Sequence, residues 1–252
     1  MAFQNLKAPL DNMKVRQALS LAIDRNYIVD KINKKGSAAN AFVSPYISGI
    51  DGGKFREQGR NDYYSVKPED YEKNCEEARK LLAEAGYPEG QGFPKFEYMT
   101  NPTSLHIAIA EALQNMWKTE LGIDCTVVQQ EWAVFLDTRP KGEFNVARDG
   151  WVPDYDDPSS FLDIFMSGNG NNDSHFYNDE LDALMQQSKV EFSGDEPKRQ
   201  ELLHQVEDIV MDNWVMAPVF FYQDNALAIP ELKGFYSLPN GLKSFWASYI
   251  EG

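Results

Sequence analysis

The stretch that decides the fold is ARDGWVPDYDDPSSFL, residues 147–162. It leaves an apolar run, Phe144–Val146, passes Gly150 and Trp151, and then delivers three carboxylates within four residues. Proline, two serines and a new apolar segment follow. This order predicts a buried strand, then a loop that holds something at the strand end, then the start of a helix.

The three carboxylates of this stretch admit several roles. Asp156 or Asp157, just before Pro158, is typical of a helix start, whereas Asp154 lies too far upstream to cap that helix. A catalytic carboxylate pair requires a partner on another segment, and a calcium loop requires a glycine and glutamate spacing that is absent. A buried Asp154 carboxylate flanked by the rings of Trp151 and Tyr155 instead fits an ammonium ligand, through a charge-assisted hydrogen bond and cation–π contact.

Composition excludes several other classes of function. The 252 residues carry a net charge of −15, which disfavours nucleic acid and anionic membrane surfaces as partners. Cys75 and Cys125 are predicted to be small buried residues rather than a disulfide. His106, His175 and His204 lack metal-ligand spacing, and no nucleotide or nucleophile motif is present, so we predict no cofactor and no metal.

Hydrophobic periodicity predicts alternating helices and strands, and hence an α/β lobe with a mixed sheet flanked by helices. Asp11 and Asp24 are expected to begin the first two helices, and residues 38–66 form a long loop that is functional or packed against another body. The other predicted helices span 70–85, 104–121, 131–137, 160–166, 178–191 and 196–214, and the predicted strands span 3–6, 93–100, 123–127, 144–148 and 216–222.

Several separate stretches resemble one family, the substrate-binding proteins of oligopeptide and dipeptide ABC importers, also called extracellular solute-binding protein family 5. The match lies in the C-terminal half of those proteins and covers nearly the whole chain. The matching stretches are Pro9–Leu19 with Ile23–Arg25, Ala78–Tyr87, Glu131–Trp132, Gly150–Tyr155 and Pro158–Leu162.

The resemblance implies the second lobe of a type II periplasmic-binding-protein-like fold, in a non-catalytic protein that closes on peptide by hinge motion. It implies that Asp154 holds the α-ammonium of a peptide and that Trp151 lines a side-chain pocket. The predicted ligand-binding residues are Asp154, Trp151, Tyr155, Arg148 and Val152. The implied partners are a peptide, a membrane permease and a first lobe that this chain lacks.

The resemblance also implies an extracytoplasmic location, in the periplasm or at the cell surface through a lipid anchor outside this chain. Alternatives are a relative that binds a glycan, nickel or another small solute, and, from another class, a carboxylate-dependent hydrolase. We predict that residues 1–220 form the ligand-binding lobe and that residues 221–252 form a tail, which in the family returns to the first lobe. Without that lobe the tail is expected to be rearranged, packed on the remaining lobe or paired with another copy.

Overall fold

The computed structural model of the chain describes residues 1–238 and 241–252, and its strands are short. They are β1 Ala2–Phe3, β2 Ser37–Ala38, β3 Phe96–Thr100, β4 Cys125–Gln129, β5 Val146–Ala147, β6 Phe220–Phe221, β7 Leu232–Lys233, β8 Tyr236–Ser237, β9 Lys243–Ser244 and β10 Tyr249–Ile250.

The central sheet has the order β1-β5-β3-β4. Strand β3 pairs in parallel with β4 and with β5, where Tyr98 lies opposite Val146, and β1 runs antiparallel to β5. Parallel neighbours need a crossover connection, which a helix provides between β3 and β4. The predicted α/β class with a mixed sheet is confirmed.

The helices flank this sheet. They are α1 Met13–Leu21, α2 Arg25–Tyr27, which continues as a π-helix over Ile28–Asn33, α3 Tyr71–Glu84, α4 Ser104–Leu121, α5 Trp132–Thr138, α6 Ser159–Leu162, α7 Asp179–Lys189 and α8 Glu196–Asp212. Helix α4 ends at Gly122, as predicted, because the glycine adopts a left-handed φ of 69° that returns its amide to the last turn. No helix in the described parts of the chain is long and apolar enough to cross a bilayer.

Two apolar cores hold these elements together. The first packs α1, α3 and α4 on the sheet around Trp117, which is fully buried and donates an indole hydrogen bond to the Leu19 carbonyl at 2.9 Å. The second joins α6, α7 and α8 to the long loop, whose Val43, Ile47 and Phe55 have no solvent exposure. The long loop thus packs on helices α6, α7 and α8 of the same chain.

Two sequence-based predictions of element bounds are wrong. Helix α1 is capped by Asn12, whose side chain accepts from the Lys14 amide at 3.0 Å, and not by Asp11. The predicted strand over residues 216–222 splits into two unrelated pairings, Met216 with Ala2 and β6 with β2. Pro218 lies between them and has no N–H to continue a ladder.

Both cysteine thiols are buried and free, in agreement with the sequence-based expectation. Burial raises the pKa of Cys75 to about 11 and that of Cys125 to about 12. The two thiols therefore stay protonated at neutral pH and behave as small apolar core residues.

Candidate functional site

The carboxyl ends of the parallel strands β3, β4 and β5 meet at one edge of the sheet, where open α/β sheets place their ligands. The loop after β5 begins at Arg148, whose amide donates to the Met99 carbonyl at 2.8 Å and extends the ladder by one bond. The 147–162 stretch therefore starts at this edge, as its sequence predicts.

Ser160 in α6 fixes the conformation of the loop. The indole N–H of Trp151 donates to the Ser160 carbonyl at 2.6 Å, and the Asp154 amide donates to the Ser160 hydroxyl at 2.8 Å. The ring of Trp151 is half-buried against the second core. Two bonds to one residue of α6 thus hold the loop in a defined arc.

Two of the three carboxylates bind separate parts of the chain. Asp156 accepts from the amide and hydroxyl of Ser48, at 2.9 and 2.7 Å, and ties the long loop to the site. Asp157 accepts two bonds from the Arg199 guanidinium, at 2.7 and 2.8 Å, and one from the Ser159 amide at 2.9 Å. The predicted helix-start role is therefore confirmed for Asp157, while Asp156 serves the neighbouring loop.

Asp154 differs from the expectation of a buried carboxylate between two aromatic faces. Its side chain is exposed, and so is Tyr155, at 49%, whose hydroxyl lies 3.3 Å from the Ser159 hydroxyl. Val152 is also exposed. In the part of the chain that the structure describes, this side of the loop is open to solvent, so the predicted burial of Asp154 is wrong for this lobe.

A cavity of about 510 Å³ opens beside the loop. Three of the five predicted site residues line it, namely Arg148, Trp151 and Val152, whereas Asp154 and Tyr155 do not. Most of its wall is apolar. The remaining lining includes Ala39, Ala41, Phe42, Ser44, Tyr46, Tyr98, His106, Ile109, Asp149, Phe161, Met216, Val219, Phe220, Phe221, Tyr222 and Leu242.

Arg148 and His106 are polar groups in the wall of this cavity. The Nε atom of Arg148 is buried without a hydrogen-bond partner among the described residues, and its guanidinium carbon lies 5.9 Å from the centre of the Trp132 ring. The Nδ1 atom of His106 lies 2.8 Å from the Asn101 side-chain oxygen. Burial, reinforced by Arg148, lowers the pKa of His106 to about 4, so the imidazole is neutral at pH 7.

Because the Asn101 oxygen accepts, Nδ1 of His106 carries the proton and Nε2 keeps a lone pair for a donor. His106 is a site residue that was not predicted from the sequence, where the three histidines were weighed only as metal ligands. Its position in the first turn of the helix that follows β3 was the available signal.

The Asp149 side chain steadies the start of the loop. Arg139 bridges Asp149 at 2.5 Å and Asp173 at 2.9 Å, and all three side chains are largely buried. Burial raises the pKa of Asp173 to about 6 despite the opposing effect of Arg139. The Asp149 carboxylate also accepts a hydrogen bond from the Gly150 amide at 2.8 Å, which shapes the turn before Trp151.

The chain is similar in sequence to proteins that are named for binding peptides. The chain is 36% identical over 237 residues to the periplasmic oligopeptide-binding protein OppA of Salmonella typhimurium, covering 92% of this chain and 40% of that protein. It is 36% identical over 239 residues to the dipeptide-binding protein DppE of Bacillus subtilis, covering 92% of this chain and 41% of the other. The chain thus spans about two-fifths of the length of these curated relatives.

A solved structure of similar fold is that of Haemophilus influenzae OppA in complex with RPPGFSPFR. It has a TM-score of 0.82 at 32% identity and covers 99% of this chain and 47% of that one. Residues 1–173 match the family described as bacterial extracellular solute-binding proteins, family 5 Middle. With most of its length inside that match, the chain belongs to the family 5 bacterial extracellular solute-binding proteins.

Proposed function

We propose that this chain supplies one lobe of a two-lobed protein that captures peptides outside the cytoplasm and passes them to the permease of an ABC transporter. The observation that carries the proposal is the cavity at the carboxyl edge of the sheet, which combines apolar walls with Arg148 and adjoins the loop that bears Asp154. Two relatives that are 36% identical to this chain are named for oligopeptide and dipeptide binding.

The chemistry of the cavity suits a peptide. Arg148 offers a guanidinium for a carboxylate, and Nε2 of His106 offers an acceptor for an amide N–H. Asp154 directly follows Pro153, the last residue of the loop that lines the cavity, and its carboxylate suits an α-ammonium group. The apolar wall between these groups suits the side chain of a ligand residue.

The tail, residues 221–252, supports the proposal of a missing first lobe. It exposes a row of large apolar side chains that a soluble surface seldom carries together. Those with at least half of their surface exposed are Leu227, Ile229, Leu242, Phe245, Trp246, Tyr249 and Ile250. We propose that the first lobe covers these side chains and supplies the opposite wall of the cleft.

Catalysis has no support from the site. Two carboxylates line the cavity, and both are engaged in ion pairs within the chain, Asp149 with Arg139 and Asp224 with Lys243. The curated relatives are named as binding proteins. The glycan, nickel and hydrolase alternatives are therefore not proposed.

A thermal-shift screen of the full-length protein with di- to pentapeptides tests the proposal, because a ligand of the native state raises its melting temperature. Asp154→Asn is expected to weaken binding of peptides with a free amino terminus and to leave the binding of their N-acetylated forms unchanged. The N-acetylated peptides are the matched control. A screen in which no peptide raises the melting temperature would contradict peptide capture.

The isolated 252-residue chain offers only half a cleft. A half-site buries less of the ligand and makes fewer contacts, so we expect weak or undetectable peptide binding. Calorimetry of this chain with the same peptides checks that expectation. Micromolar affinity would mean that one lobe suffices.

A further inference from the structure

One wall of the cavity has no regular backbone structure. This wall, residues 39–44, follows β2 and contributes Ala39, Ala41, Phe42 and Ser44 to the lining. The ring of Phe42 packs edge-on against Phe161, at 5.7 Å between ring centres. Ring packing orients that side chain, but it does not fix the backbone of the wall.

A carboxylate from α8 holds the Phe42–Val43 part of that backbone. Glu207 is completely buried, and its Oε1 atom accepts from the Phe42 amide at 3.1 Å and from the Val43 amide at 2.8 Å. The same oxygen accepts from the guanidinium of Arg56. Three donors therefore converge on one oxygen, and two of them are backbone groups of the cavity wall.

Arg56 adds a second attachment. Arg56 is buried and donates to the Val43 carbonyl at 3.2 Å and to the Arg60 carbonyl at 2.7 Å. Glu207 therefore binds the amide of Val43, and Arg56 binds its carbonyl. The second oxygen of Glu207 is buried and has no hydrogen-bond partner in the described part of the chain. An ionic pair in such a place is a costly way to gain stability, since apolar residues of similar volume often serve as well.

We propose that Glu207 is a positioning residue of the ligand site, which acts by holding the Phe42–Val43 backbone and hence the cavity wall in its binding geometry. The inference rests on the proposed function, because it assigns the wall to ligand binding. Glu207 itself does not line the cavity and acts through the wall.

The test separates positioning from stability. The double variant Arg56→Met/Glu207→Leu removes both charges and leaves no unpaired buried ion, so it is expected to stay folded. It also removes the acceptor of the two wall amides. Amide hydrogen exchange, followed by mass spectrometry over residues 40–46, is expected to rise about tenfold in this variant, the effect of losing one buried hydrogen bond of roughly 1.4 kcal/mol.

Leu82→Ala is the control, because Leu82 is almost fully buried in the first core and does not line the cavity. It is expected to lower the melting temperature without raising exchange over residues 40–46. Glu207→Gln keeps an oxygen acceptor and is expected to retain most of the protection. The proposal is overturned if residues 40–46 exchange at the wild-type rate in the double variant, or at the same rate in the double variant and the Leu82→Ala control. This outcome does not depend on which ligand the protein binds.

A second measurement connects the wall to the ligand. In the full-length protein, the tripeptide Ala-Phe-Ala is expected to bind the double variant at least fivefold more weakly than the wild type, while the Leu82→Ala variant keeps wild-type affinity. Faster exchange with unchanged affinity overturns the positioning role. If no peptide in the screen, Ala-Phe-Ala included, binds the wild type, the proposed function fails, and the exchange measurement alone decides whether Glu207 holds the wall.

Discussion

Asp157→Asn tests the ion pair that anchors the loop after β5, residues 147–162. The variant keeps the shape of the side chain and an oxygen that accepts from the Ser159 amide, but it removes the negative charge opposite Arg199. The two hydrogen bonds to the guanidinium are 2.7 and 2.8 Å long, and the two side chains are only 28% and 24% exposed. The loss therefore falls on one well-formed, partly shielded ion pair.

The magnitude follows from that burial. A fully exposed ion pair contributes about 0–1 kcal/mol, and a hydrogen bond to a charged group roughly 1.5–3 kcal/mol. For a pair with about a quarter of its surface exposed, we expect a loss of about 2 kcal/mol in the free energy of unfolding. In a chain of this length that corresponds to a fall of about 4–8 °C in melting temperature.

The pH dependence supplies a second check. Burial pushes the pKa of Asp157 up, but the hydrogen bonds from Arg199 and Ser159 together outweigh it and hold the pKa below its usual range. The stabilisation is therefore present above the unfolded pKa, about 3.9, and is lost as the pH falls through the folded value. Urea unfolding at pH 7 and at steps down to pH 3 should show the gap between wild type and variant closing.

Asp154→Asn is the matched control, because it makes the same chemical change on an exposed side chain three residues upstream. Because solvent screens the interactions of an exposed carboxylate, we expect it to lower the free energy of unfolding by less than about 1 kcal/mol. The reasoning is refuted if Asp157→Asn lowers the free energy of unfolding at pH 7 no more than Asp154→Asn does. It is also refuted if the difference between Asp157→Asn and the wild type stays constant down to pH 3.

Three further predictions concern other parts of the chain. Burial lowers the pKa of His106 and of His204 to about 4, so the unfolded state takes up protons at a higher pH than the folded state. The free energy of unfolding of the wild type should therefore fall as the pH drops from about 6.5 towards 4. In urea unfolding, His106→Gln should show a smaller fall over the same pH range. Gly122→Ala should cost about 2 kcal/mol or more, because φ is 69° and the new Cβ would lie 2.3 Å from a carbonyl oxygen, whereas Gly86→Ala, with open space around it, should cost about 1 kcal/mol. Truncation after residue 224 should leave the melting temperature of the chain within a few degrees, because no later residue belongs to the cores of the described chain.

The sequence predicts the parts of the fold that depend on neighbouring residues. The periodicity of α4 and the stop at Gly122 are local, and so is the strand that ends before Arg148. Pro218 shows the limit, since a run of apolar residues looks like one strand while the ladder on either side of the proline belongs to different partners. Local patterns give the type of an element but not its pairing.

The contacts that shape the site are not local, which explains why the sequence analysis missed them. Glu207 and the Phe42 amide are 165 residues apart, and Asp156 and Ser48 are 108 apart. In the sequence, Glu207 is one acidic residue of an amphipathic helix and looks solvent-exposed. Only the packing of α8 under the long loop makes it a buried acceptor.

Helix α8 therefore supports the site from two points. Arg199 holds the loop after β5 through Asp157, and eight residues later Glu207 holds the Phe42–Val43 wall. Eight residues span about 12 Å of helix, so the two attachments lie about two turns apart on α8. No residue of α8 lines that cavity.

A ligand that needs both segments in place binds only the state in which both attachments to α8 are made. By linkage, such a ligand stabilises those attachments by as much as they favour its binding. Substitutions on the buried side of α8 should then change affinity without touching the ligand, whereas substitutions on its solvent side should not. The helix that the sequence presents as an ordinary amphipathic element is, on this argument, the support on which the geometry of the half-cleft depends.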